Sequence, residues 1–163
     1  MILLACDPGI RGAIARIDHH GEPVVHDMPI RAKQGNGKVR NEIDPKALQS
    51  LLRELVPADE RGLVVMEALN TFAGGSVQTM GSLEATKAVI TTVCELTGLD
   101  VALVSPKAWQ AFYGIKKTPS EDTKKQSLRI ARQLFGQHLC PLAKHDGRAD
   151  ALLIAHYAQR TLI

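Results

Sequence analysis

Residues 2–13 read ILLACDPGIRGA, and the rest of the chain is organised around them. Ile2 to Cys6 is an unbroken apolar run of strand length that ends in Asp7. Pro8 pre-sets its φ and Gly9 tolerates positive φ, so the pair suits a tight reversal. Gly12 to Ile17 then reads as a returning strand. A carboxylate at the end of an apolar strand needs water, a cation or a hydrogen-bond donor, because burying it unpaired costs several kcal/mol. Taken alone, DPG is a polar hairpin turn. Its meaning depends on the other carboxylates.

Gly62 to Met66, GLVVM, is a second continuous apolar run of the kind found in buried parallel strands, and it ends in Glu67. A third acidic segment, HDGRADALLIA, carries Asp146 and Asp150, four residues apart, ahead of an apolar helix from Asp150 to Leu162. If that helix extends back to Asp146, both carboxylates share one face about one turn apart. If it starts later, Asp146 sits in the leading loop and still reaches the same point. In either case the helix N-terminus favours negative charge there. Carboxylates gathered in this way repel one another, and some would take up protons. A pair of divalent cations removes that penalty, and hard carboxylate oxygens favour magnesium or manganese over zinc. Two such ions roughly 4 Å apart activate a water and stabilise the leaving oxygen in phosphodiester cleavage. No Ser-His-Asp or Cys-His arrangement competes with this reading.

The 163 residues fit one domain, 1–163, with a core of useful size. A hydrophobic content of 45% makes it globular rather than disordered, and 4% aromatics leave the core to Leu, Ile, Val and Ala. No apolar run reaches the ~18 residues of a membrane helix. The start, MILLACDPG, has no basic n-region, so no signal peptide is expected. Cys6, Cys94 and Cys140 are odd in number, widely spaced and without CxxC spacing, which argues for a reducing, cytoplasmic setting. The net charge is only +3, but its distribution is uneven. Arg31, Lys33, Lys38 and Arg40 lie in one Gly-containing stretch; Lys116, Lys117, Lys124, Lys125, Arg129 and Arg132 lie in another. Two basic patches beside a few carboxylates suit a polyanion handled at an acidic metal site.

Between these landmarks the order of elements is mixed. Pro23 to Met28 reads as a third strand, and His19, His20 and His26 around it as ordinary surface histidines. Pro29 to Ile43 shows no periodicity and reads as a mobile basic loop. Asp44 suits an N-cap with Pro45 at the first helical position, and Leu48, Leu51, Leu52 and Leu55 give that helix an apolar stripe. Ser76 caps a long helix over Val77–Leu96, with Leu83, Ile90 and Val93 on one side, extended by Ala85, Ala88 and Val89. Gly98 suits the C-cap, Val101–Val104 a further strand, and Ser105-Pro106 the start of a short helix whose Trp109 and Phe112 read as core. After a loop over Lys116–Asp122, Ser120 caps a helix with Leu128, Ala131, Leu134 and Phe135 inward. Lys125, Arg129 and Arg132 share another face of it. The sum is an α/β chain with an antiparallel edge on a partly parallel sheet.

Four blocks, DPGIRGA, VVMEALNTFAGG, VSPKAW and HDGRADALLIAHYA, together resemble in order and spacing the RuvC-type Holliday junction resolvases of the RNase H-like superfamily, above all their phage-encoded relatives. The resemblance covers nearly the whole chain. It implies an RNase H-like fold, a central mixed five-stranded sheet flanked by helices. It implies a homodimer that grips a four-way DNA junction and nicks two opposing strands symmetrically with Mg2+ (or Mn2+), leaving ligatable nicks in recombination and repair. Two ions per site are expected. Carried over by position, Asp7, Glu67 and Asp150 are catalytic metal ligands and Asp146 is the fourth. Phe72 stands where the family often has a ring that props open the junction core, and the helix from Val77 is expected to pack against its copy. The family often spaces its last two ligands three apart, sometimes with His first; here Gly147 takes that slot, with Asp146 and His145 beside it. Gln110 stands where some members have a basic residue, and Lys107 or Lys124 is expected to supply that charge. Lys124 and Lys125 fall near a basic position that the family uses close to the scissile phosphate. Arg129 and Arg132 complete the expected DNA-contacting set. The expected setting is the cytoplasm of a bacterial or phage-infected cell, and a helicase-type motor partner is left open.

Three other readings compete. An RNase H-like nuclease for forks, flaps or RNA–DNA hybrids would use the same chemistry. A non-catalytic module for branched DNA would tolerate loss of a carboxylate, and all four are present. An actin-like ATPase opens similarly but needs a chain more than about twice this length with a second domain.

Overall fold

A computed structural model of the chain describes residues 1–17, 22–35, 37–69 and 75–163. The leading stretch forms β1 (Ile2–Asp7), which turns through Pro8-Gly9 into β2 (Ala13–Ile17). A third strand, β3 (Val24–Asp27), pairs antiparallel with β2. On the other side of β1, β6 (Gly62–Glu67) and β7 (Asp100–Val104) run parallel to it. The sheet order is β3-β2-β1-β6-β7, five strands with an antiparallel edge, as the sequence suggests.

Period-two alternation decides what each face carries. Leu3 and Ala5 of β1 and Val65 of β6 point to one face, where α4 (Thr123–Phe135) and α5 (Asp146–Thr161) pack. Ile2, Leu4 and Cys6, with Val64 and Met66, point to the other, against α1 (Pro45–Leu55) and α2 (Val77–Leu96). Asp7 and Glu67 continue the parity of Ala5 and Val65, which aims both carboxylates at α5. The strand face beneath α5 is small, with Ala5, Ala13 and Ala15, and α5 answers with Ala149, Ala151 and Ala155. Leu152, Leu153 and Ile154 of α5 are fully buried, each contributing about 2 kcal/mol. The three cysteines are free and buried, and no helix among the described residues is long and apolar enough to cross a membrane.

The expected caps of α1 and α2 form: Asp44 and Ser76 accept from the N–H of Ala47 and Thr79, both at 3.1 Å. Gly98 follows α2 at φ +81°, the left-handed conformation that a glycine adopts without strain. Other expectations are corrected. Residues 29–43 are not one loop: β4 (Ile30–Lys33) and β5 (Arg40–Ile43) form a two-stranded antiparallel hairpin. Its base is pinned by the Asp44 N–H donating to the Pro29 carbonyl, at 3.0 Å, and by buried Ile43. The cap of α4 is Asp122, which accepts from the Lys125 N–H at 2.8 Å, not Ser120. Glu121 is held out of the helix because its carbonyl takes the Thr118 hydroxyl at 2.8 Å and the Gln126 amide at 2.9 Å. Leu134 is 48% exposed; it lies one position, about 100°, from Phe135 round the helix. Phe112 is likewise 48% exposed, at the rim of α3 (Pro106–Phe112), edge-on to Tyr113 and Tyr157. In α2 only Ile90, Val93 and Cys94 are buried, so Ala85 and Ala88 do not extend the core stripe.

Candidate active site

Register brings the acidic residues together. β1 and β6 are adjacent and parallel, with Cys6 opposite Met66, so Asp7 and Glu67 leave the sheet side by side at the same end. The last helix begins at Asp146, which settles its start in favour of the longer helix. Asp150 follows one turn later on the same face. Its start is clamped by Arg148, whose Nε and Nη2 donate to the two carboxylate oxygens of Asp27 at 2.7 and 2.9 Å. That clamp joins residues 121 apart in sequence, and nothing in the sequence announces it.

Two glycines allow the close approach of these segments. A Cβ at Gly147 would run into the Arg11 carbonyl oxygen and lie 3.2 Å from Asp7 Oδ2. A Cβ at Gly12 would strike the Asp7 carbonyl oxygen. The first turn of α5 therefore sits directly on the β1–β2 turn. The slot where the resemblance puts an acidic ligand or His has no room for a side chain, and the acid stands one residue earlier, at Asp146.

The electrostatics are those of a crowded acidic site. Burial pushes the Asp7 carboxyl well above the ordinary range, and the negative charges of Asp150, Glu67 and Asp146 push it further. Asp150 is raised to about 7, chiefly by burial, with Glu67 and Asp146 adding and a hydrogen bond to Ser127 opposing. Glu67 is raised by burial, against a hydrogen bond from Trp109. The Lys124 ammonium lies 3.3 Å from Asp146 and partly offsets the crowding at Asp7 and Asp150. Asp150 Oδ1 is buried and has no hydrogen-bond partner among the described residues.

That set fits a divalent cation in chemistry: hard oxygens, excess negative charge and one buried lone oxygen. Among the described residues, no three His, Cys, Asp or Glu side chains converge closely enough to form a closed cage as they stand. His145 is directed elsewhere: its Nδ1 accepts the Leu142 N–H at 3.1 Å, and burial and Arg148 lower its pKa.

One residue of the site was missed from sequence. Trp109, read only as core, is indeed fully buried, but its indole N–H donates to Glu67 Oε2 at 2.6 Å. The register explains it. Glu67 lies opposite Val104, and α3 starts just beyond, so Trp109 returns over the strand end. A tryptophan shortly after the strand next to an acidic strand end was the available signal.

The expected basic residues separate. Lys124 joins the carboxylates. Lys125, Arg129 and Arg132 line a shallow groove of about 460 Å³ along α4. There Arg129 is paired with Glu121 at 3.0 Å, and Arg132 donates to the Cys140 carbonyl at 2.8 Å. Lys107 is exposed on α3. Phe72 lies outside the described residues.

A pH dependence follows. Asp150 titrates near 7 when folded and near 4 when unfolded. Between those values the folded chain keeps a proton that the unfolded chain has lost, so stability from this group falls as pH rises from about 4 to about 7. Asp7 and Glu67 act in the same direction. His145 and His156, lowered by burial, act oppositely below about pH 6.5. Comparison with Asp150→Asn cancels the histidine contribution. In EDTA, the wild-type Tm is expected to drop relative to the variant by ~5 °C between pH 5.5 and 8. Magnesium at pH 8 is expected to recover that loss in the wild type more than in the variant. Parallel Tm profiles in EDTA would show that Asp150 carries no such strain.

No protein-family model and no curated protein sequence matches the chain. Solved structures do match it in fold. T. thermophilus RuvC in complex with a Holliday junction substrate superposes with a TM-score of 0.58 at 12% identity, covering 98% of this chain and 95% of that one. Thermus thermophilus RuvC gives 0.50 at 13% identity, covering 98% and 96%. The Fowlpox virus resolvase complexed with Holliday junction DNA gives 0.53 at 15% identity, covering 100% and 99%. The chain thus shares the RNase H-like fold of these resolvases over essentially its full length.

Proposed function

We propose that this chain is a divalent-metal-dependent endonuclease that resolves four-way DNA junctions by symmetric nicking. The observation that carries the reading is the meeting of Asp7, Glu67, Asp146 and Asp150 at one sheet end, with a buried oxygen on Asp150 that has no partner among the described residues. The shared fold supports the junction as substrate, since two of its matches are structures bound to Holliday junctions.

In this reading the four carboxylates hold two Mg2+ or Mn2+ ions. When bound, such a pair supplies an activated water and stabilises the leaving oxygen of the phosphodiester. The chain's own residues prepare the site. Trp109 fixes the rotamer of Glu67, Arg148 and Gly147 seat α5 against the β1–β2 turn, and Lys124 offers a cation to the scissile phosphate. His145 serves the loop backbone, leaving Asp146 as the fourth ligand. Two copies, with α2 packed against its partner, present two sites to opposing strands. The setting is the cytoplasm of a bacterial or phage-infected cell.

The test is cleavage of a labelled four-way junction beside matched duplex, flap and RNA–DNA hybrid, in Mg2+ and in EDTA. Paired symmetric nicks in the junction alone, and only with metal, support a resolvase. Equal cutting of the other substrates moves the function to a general or hybrid nuclease. Tight junction binding without cutting moves it to a non-catalytic module.

The role of Trp109 has its own check. Trp109→Phe keeps a buried ring and deletes the N–H to Glu67. Loss of a partner to a metal-binding side chain typically lowers metal affinity about 10- to 100-fold. The Mg2+ half-saturation for cutting is expected to rise by about tenfold, as is the Mn2+ dissociation constant by calorimetry. Trp109 is the only tryptophan in the chain, so its emission in the wild type should change on Mn2+ addition. Wild-type metal affinity in Trp109→Phe would reduce Trp109 to packing.

A further inference from the structure

The first basic patch is not absorbed by the carboxylate site. It forms one wall of a groove of about 610 Å³ between the β4–β5 hairpin and α2. In the hairpin register Arg31 is opposite Glu42 and Lys33 is opposite Arg40, so these four side chains share one face. Arg31 is held by Glu42 at 3.1 Å, which neutralises the one carboxylate on that face. Lys33 and Arg40 remain as exposed cations, and Lys38 joins them around a second hollow of about 340 Å³ near the hairpin tip. The opposite wall, from α2, is uncharged and mixes polar groups with Leu83, Ala85 and Val89. Gln78, Ser82 and Thr86 of α2 recur at four-residue spacing, and the first turn of α2 has no acidic residue. Ile10, three residues after Asp7 in the β1–β2 turn, also lines the groove.

We propose that this groove takes the sugar-phosphate backbone of a DNA arm leading away from the carboxylates, with the hairpin as a phosphate-gripping arm. The inference rests on the nuclease reading above and adds a DNA-contacting surface to it. Lys and Arg on one wall and hydroxyl and amide groups on the other are the donor types that proteins direct at phosphate oxygens. An apolar or basic partner would offer no match for Lys33, Arg40 and the neighbouring Lys38. Through Ile10 the groove reaches the β1–β2 turn, which follows the strand that ends in Asp7. The hairpin is braced at its base by the Asp44 to Pro29 hydrogen bond, so it is built into the scaffold.

The experiment is equilibrium binding of a labelled four-way junction to the full chain in EDTA, over a series of NaCl concentrations. Wild type is compared with Lys33→Ala/Lys38→Ala/Arg40→Ala and with the charge-preserving Lys33→Arg/Lys38→Arg/Arg40→Lys. The substituted side chains are exposed, and circular dichroism verifies the fold. Each phosphate that is no longer neutralised lowers the slope of log K against log salt by about 0.9, so the neutralised variant should show a slope smaller by about 2 to 3. Its affinity at moderate salt should fall by roughly 10- to 100-fold. The charge-preserving variant should keep both. An unchanged slope in the neutralised variant, with wild type still cutting the junction, overturns the groove and leaves the nuclease standing. An unchanged slope together with dissociation of the dimer in sedimentation assigns the groove to a second copy and also overturns the proposal. A wild type that neither binds nor cuts the junction removes the nuclease reading, and the groove with it.

Discussion

Asp7→Asn and Glu67→Gln are each expected to lower junction cleavage by roughly a thousandfold or more, while junction binding in EDTA stays near wild type. The two residues end adjacent parallel strands and point to the same face, so each change replaces a carboxyl oxygen at the centre of the acidic cluster with an amide nitrogen. The substitutions preserve shape and delete charge. They should not unfold the chain, because the carboxyl of Asp7 is already driven toward its neutral form by burial and by Asp150, Glu67 and Asp146. The metal-free Tm of Asp7→Asn should therefore equal or exceed that of the wild type at pH 8. Cleavage rates, junction affinity and Tm measured together separate a chemical role from a structural one. Wild-type cutting by either variant would sink the assignment.

Gly147→Ala is expected to have the largest effect on folding. A Cβ there meets the Arg11 carbonyl oxygen, which is backbone, and comes within 3.1 Å of Gly12 Cα. Neither can rotate aside as a side chain would. Moving α5 outward would open the interface in which Leu152, Leu153 and Ile154 are fully buried. Overpacking of this kind costs about 3 kcal/mol, a fall of ~6–12 °C in Tm for a chain of this size. Cleavage at low temperature should fall as well, since α5 carries Asp146 and Asp150. Thermal melts read the first effect directly. A Tm within a degree of wild type would mean that the first turn of α5 does not rest on the β1–β2 turn.

The parts of this fold that were legible in the sequence are those where burial is one-sided or complete. ILLACD and GLVVME are apolar runs ending in a carboxylate, and both became central strands with the acid at the same sheet end. The leucine stripe of α1 and the caps at Asp44 and Ser76 were visible because each rests on local spacing. The hairpin at 30–43 was not visible. IRAK and RNEI have no apolar alternation to read, because all but the last two of those residues are exposed. Leu134 and Phe112 misled for the opposite reason: they are apolar but sit off the buried stripe, each about half exposed.

The candidate site divides in the same way. The acids could be found because charge at a strand end is unusual. The groups that hold them could not, because the Trp109 to Glu67 and Arg148 to Asp27 hydrogen bonds join segments far apart in sequence. The basic face at Lys125, Arg129 and Arg132 was legible as spacing, yet two of its three cations are engaged within the chain. The acid at Asp146, one residue before the expected slot, read as a departure from the resemblance. The tight contact at Gly147 supplies its physical reason.

The most direct measurement is anomalous diffraction from crystals of the full chain equilibrated with Mn2+. Two anomalous peaks are expected against the carboxylates of Asp7, Glu67, Asp146 and Asp150, with Asp150 Oδ1 gaining a ligand or a bound water. No Mn2+ at these carboxylates, together with junction cleavage that persists in EDTA, would contradict the metal-dependent nuclease.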